Sequence, residues 1–112
     1  MIVTDGFEIA RDATAAIIDT GDVGTGTTAP QLSDTALQNA QAHNKAMTTV
    51  VKDSDEFDNY FTLDAGESAS TALSEIGFFD STKLFSRHTF AAITKGGSVT
   101  WRVVMNVQIS EV

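Results

Sequence analysis

Hydrophobic positions change their period near the middle of the chain. In "GFEIARDATAAII" the residues Ile9, Ala13 and Ile17 recur at helical spacing, with Ala10 and Ala16 beside them. Positions four apart share one face of a helix, so the spacing predicts a helix over about residues 6–18. Asp5, with Glu8 three residues later, fits a capping box at its start. The stretch "TGDVGTGTTAPQLSDT" that follows is rich in Gly and Thr and holds the single proline of the chain. It reads as an extended connection with at most a short strand. Ser33 or Asp34 then caps a second short helix through "TALQNAQAHNKA", with Leu37 as its main apolar anchor.

From residue 47 the period becomes two. "MTTVV" and "NYFTLDA" are β-branched and aromatic runs separated by the polar "KDSDEFD". "TALSEIGFF" and "KLFSRHTFAAI" are a third and a fourth strand, joined through "DSTK" as a hairpin. The last strand alternates most clearly. Val99, Trp101, Val103, Met105, Val107 and Ile109 share one face, and Thr100, Arg102, Asn106 and Gln108 take the other. Gly96 and Gly97 supply the turn before it. A strand of this length with one apolar face is expected in the middle of a sheet rather than at its edge. The fold class is therefore α+β: short N-terminal helices, then a mostly antiparallel β-sheet or β-sandwich of about five strands. Residues 1–112 read as a single domain, with no repeat and no linker.

Charge adds the strongest compositional signal. Fifteen Asp and Glu against seven Lys and Arg leave a net charge of −8. Phosphate backbones and anionic lipids are bound by clustered cations, and the basic residues here are few and scattered. No nucleic acid and no membrane partner is expected. An acidic surface repels itself unless screened, and the excess of Asp over Glu with only four lysines is similar to proteins of salt-loving microbes. Cysteine is absent, so disulfides and thiolate metal sites are excluded. No basic stretch followed by an apolar one opens the chain, and no signal peptide is expected.

The candidate chemistry is thin. "GDVGTGTT" lacks the Gly-Lys-Ser/Thr ending that a phosphate loop uses to neutralise charge, and Pro30 disfavours the helix a dinucleotide fingerprint needs. Asp53, Asp55, Glu56 and Asp58 cluster as calcium ligands do, but the loop has no glycine at its sixth position and no closing Glu at its twelfth. His43 and His88 are the two histidines. Ser86 and His88, two apart on a strand, point the same way without an elbow motif to make a nucleophile of the serine. Arg87 and Glu75 suggest a cross-strand ion pair, worth little if exposed. Catalytic, cofactor-binding and metal-binding residues are therefore read as none, and no enzyme is expected. Trp101 reads as core. Phe78, Phe79 and Phe85 crowd one hairpin and cannot all point inward, which makes them the candidate subunit interface.

The order of elements resembles a family of small virion proteins of tailed viruses, found in tail fibres and baseplates. The resemblance rests on the helix "DGFEIARDATAAI" and on the Gly-Thr loop with its Asp-Thr-x-Leu, "GTGTTAPQLSDTAL". It continues in the hairpin "EIGFFDSTKLFSR" and the closing "TKGGSVTWRVVMNVQI". It implies an architectural role in the virion, as an adaptor or connecting subunit of a tail fibre, baseplate or vertex turret. The implied partners are other virion structural proteins and further copies of the chain, in a trimer or hexamer. No catalytic residue is implied. With the acidic composition, the resemblance points to a virus of a halophilic archaeon. The alternative reading is a module that binds host-surface glycans through exposed aromatics.

Overall fold

The computed structural model describes residues 1–111. Among them are one helix, α1 (Thr4–Ile17), and seven strands. The strands are β1 (Thr20–Gly24), β2 (Lys45–Ala46), β3 (Thr48–Asp53), β4 (Glu56–Leu63), β5 (Ala72–Asp80), β6 (Lys83–Thr94) and β7 (Trp101–Gln108). They form two antiparallel sheets, a four-stranded one in the order β2-β1-β5-β6 and a three-stranded one in the order β3-β4-β7. The α+β class holds, with seven strands in two sheets rather than about five.

The sheets pack through one core. Val23, Leu73 and Phe78 of the larger sheet meet Phe57, Phe61, Leu63 and Val103 of the smaller, and Ile18 joins them from the end of α1. Strand alternation explains this: β4 buries every second residue, Phe57, Asn59, Phe61 and Leu63. Phe61 meets Phe78 edge to face at 6.0 Å between ring centroids. Gly21 permits that approach, since a Cβ there would lie 2.2 Å from the Phe61 ring. The buried amide of Asn59 is satisfied, donating to the Ile18 carbonyl and accepting from the Thr49 hydroxyl.

Four expectations are corrected. First, α1 starts at Thr4 and has Val3 at its N-cap without a side-chain cap, so Asp5 lies inside the first turn. Second, residues 35–46 form no helix. Ala42 and Asn44 have φ of 60° and 49°, and the amides of Gln38 and Asn39 are captured by the Glu75 carboxylate. Leu37 is nevertheless an anchor, buried over Gly77. Third, β7 spans eight residues and lies at the edge of its sheet, where β4 is central. Its alternation is as read, with Val103 buried, but Val99 falls outside the strand and is exposed. Fourth, Trp101 is only half-buried at the margin of the core. The β5–β6 hairpin turns at Ser81, in the left-handed region with φ 53°, whose N–H is accepted by Asp19.

Candidate functional site

The side-chain cluster with the deepest burial lies on the outer face of the larger sheet. Strand alternation turns Glu75 and Arg87 away from the core, yet Glu75 is 0% and Arg87 8% exposed, because residues 24–39 fold over them. Glu75 Oε1 accepts from the Gln38 amide at 2.8 Å and from Arg87 Nε at 3.1 Å. Its Oε2 accepts from the Asn39 amide at 2.9 Å and from the Gly26 amide. Arg87 also reaches Asp34 at 3.1 Å and the Thr28 carbonyl at 2.8 Å. Gly24 and Gly26 are required here, since a Cβ at either would lie within 2.8 Å of the Glu75 side chain.

Electrostatics follow from this geometry. Burial works against the charge on Glu75, but the three amides and Arg87 outweigh it and hold its carboxyl below the usual range. Burial likewise opposes the Arg87 charge, and Glu75 with Asp34 raises its pKa despite that. The cross-strand pair read from the sequence is therefore a buried clamp on the Gly-Thr loop. Among the described residues no buried side-chain nitrogen or oxygen lacks a partner.

The three phenylalanines separate. Phe78 is 2% exposed and belongs to the core, which removes it from any interface with a second chain. Phe79 is half-buried on the outer face beside Leu37 and Ala40. Phe85, opened outward by a register shift between Phe78 and Phe79, is 48% exposed and shares a cleft of about 420 Å³ with the fully exposed Leu32. Ser86 and His88 face the same side, as read, but contact Met105 and the Phe78 ring rather than each other.

Two apolar surfaces carry no protein cover. The first is the stripe of α1: none of its residues is buried, and Ile9 and Ile17 are 71% and 49% exposed. On its other side Phe7, Ala10, Thr14 and Ala15 are partly buried, Ala15 packs on the core, and Arg11 donates to the Asp53 carbonyl. Ile2 and Val3 extend the exposed surface beyond the helix. The second is the side of the sandwich where β6 and β7 end their sheets. Each pairs on one edge only, and between them opens a cleft of about 530 Å³ lined by Ile76, Phe90, Ile93, Trp101 and Val103. Sequence showed the α1 stripe but not that it faces outward, because which face of the helix meets the sheets depends on segments distant in the chain.

The other candidates form no site. Asp58 pairs with Lys52 and Asn106, Asp55 approaches Gln108, and no three metal-ligating side chains converge among the described residues. The Tyr60 ring is covered by the Arg102 guanidinium at 4.2 Å. Among the described residues no helix is long and apolar enough to cross a membrane. No family model, curated protein or solved structure matches the chain.

Proposed function

We propose that the chain is an architectural subunit of a tailed-virus particle, an adaptor or connecting piece of a tail fibre, baseplate or vertex assembly, in a virus of a halophilic archaeon. The observation that carries the assembly part is the uncovered stripe of α1. A helix in an autonomous domain turns its apolar stripe to the core; this one presents Ile9 and Ile17 to solvent. The open β6–β7 cleft on the same chain is a receptor of matching chemistry. The stripe of one copy fills the cleft of the next. Such unlike surfaces build a head-to-tail contact, which closes into a ring such as a trimer or hexamer when the rotation allows. The virion assignment rests on the resemblance of "EIGFFDSTKLFSR" and the flanking motifs to tail-associated proteins. A glycan platform has less support, because Arg102 covers the Tyr60 face.

The test is native mass spectrometry in volatile high salt on the wild type and on Ile9→Glu with Ile17→Glu. Both residues are exposed, so the variant should keep its β-sheet circular dichroism and lose the ring. A wild type that stays monomeric at high concentration and is absent from purified particles would sink the reading.

A further inference from the structure

We infer that Ser68 is a nucleophile for acyl transfer, activated by His43 and Glu67. The three residues come from two segments: His43 lies just before β2, and Glu67 and Ser68 are neighbours on the crossover from β4 to β5. Ser68 Oγ is 2.7 Å from His43 Nε2, and His43 Nδ1 is 3.5 Å from Glu67 Oε2. This is the order of contacts that makes a serine reactive: hydroxyl to imidazole, imidazole to carboxylate. With the proton on Nδ1, the nitrogen nearer Glu67, the Nε2 lone pair at 2.7 Å is a closer acceptor for the Ser68 proton than Gln41 Oε1 at 3.5 Å.

The surroundings hold each part in place. Glu67 Oε1 accepts from Lys45 Nζ at 2.8 Å and from the Asp64 amide at 2.7 Å, which fixes the carboxylate while Oε2 faces the histidine. Lys45, the Asp64 amide and His43 keep the Glu67 carboxyl below its usual range, so it stays an anion beside the imidazole. Ser68 has φ 50°, a left-handed conformation that a serine adopts at a cost and that turns up at functional positions. The crossover that presents it is tied from beneath. Ser70 N–H donates to the Lys95 carbonyl, Thr71 N–H to the Ser68 carbonyl, and the fully buried Lys95 Nζ to the Asp64 carbonyl. The Ala69 N–H, next after the nucleophile, has no partner among the described residues. It is the amide available to a developing oxyanion.

Ser68 and His43 are half-buried, and none of the clefts between the sheets reaches them. The substrate class is therefore a small, unhindered ester such as an acetyl group at the end of a larger polar molecule. Ser68 Oγ attacks the carbonyl carbon as its proton passes to His43 Nε2. The ester C–O bond breaks, and His43 returns that proton to the departing alcohol. Water, deprotonated by His43, then releases the acid and restores Ser68. The net change is ester plus water to acid plus alcohol.

A fluorophosphonate probe, with intact-mass and peptide mapping, tests the assignment on the wild-type protein in high salt. One adduct per chain on Ser68 is expected. His43→Gln should slow labelling and p-nitrophenyl acetate hydrolysis by roughly 100-fold, the usual contribution of a general base. Ser68→Ala should abolish both. Adducts absent from Ser68, or spread over lysines and the N-terminus, would overturn the proposal, as would hydrolysis unchanged in Ser68→Ala. The wild-type mapping decides the matter even where a variant fails to fold.

Discussion

Replacing Glu75 by Gln removes a charge and almost no volume, so its effect isolates the clamp under the Gly-Thr loop. Each carboxylate oxygen accepts two N–H donors: Gln38 and Arg87 on one, Gly26 and Asn39 on the other. Whichever way the Gln amide lies, its NH₂ faces two donors and those two bonds are lost. Hydrogen bonds to charged groups contribute about 1.5–3 kcal/mol each, and breaking a buried pair from one side costs about 3–5 kcal/mol. Unfolding entropy near 2.1 cal/mol/K per residue gives about 0.24 kcal/mol/K for 112 residues, so Tm should fall by about 13–21 °C. Urea denaturation checks the free energy, and hydrogen exchange at Gly26, Gln38 and Asn39 checks the place. With Arg87→Met added, the double variant should lose less than the sum of the singles, because neither charge is stranded. The sign with pH is fixed by the lowered Glu75 pKa. Its stabilisation is complete above the unfolded value near 4.3 and is lost as pH falls through the lower folded value, so wild type and variant converge in acid. A cost below about 1 kcal/mol at neutral pH would refute the reasoning, since it would mean the carboxylate is not holding the loop.

Gly21→Ala places a Cβ 2.2 Å from the Phe61 ring in a core where that ring is 1% exposed; overpacking of this kind should cost about 1–3 kcal/mol in urea denaturation, and no loss would mean the ring moves aside. A net charge of −8 should make Tm rise from low to molar salt, and a flat melt series would remove the argument that the acidic composition is an adaptation to salt.

Local pattern was legible in the sequence wherever local pattern decides structure. The alternation from Trp101 to Gln108 places Val103 inside, and the "DSTK" hairpin forms as read. Facts that depend on distant segments were not legible. Whether β7 is central or an edge depends on β4 pairing with it on one side and nothing pairing on the other. Residues 35–46 have helical composition, but Glu75, more than 35 residues on, takes two of the amides a helix would use. Arg87 and Glu75 were readable as a pair, and their burial was not, because the covering loop lies some 50 residues earlier in the chain. Ser68, His43 and Glu67 escaped for the same reason: 25 residues separate the serine from the histidine, with no motif between them.

The assembly surfaces and the Ser68 cluster use different parts of the chain, which makes the two readings separable. Ile9 and Ile17 lie on α1, and the cleft that receives them is built from β5, β6 and β7. Ser68, His43 and Glu67 sit on the β4–β5 crossover and the approach to β2, tied by Lys45 and Lys95 rather than by the helix. Sites without shared partners act independently. Loss of the ring in the α1 variant should therefore leave Ser68 labelling intact, and loss of labelling in Ser68→Ala should leave the ring intact. Were the two losses to travel together, the reactive serine would be a property of the assembled particle, and the approach to β2 would have to lie against a neighbouring subunit.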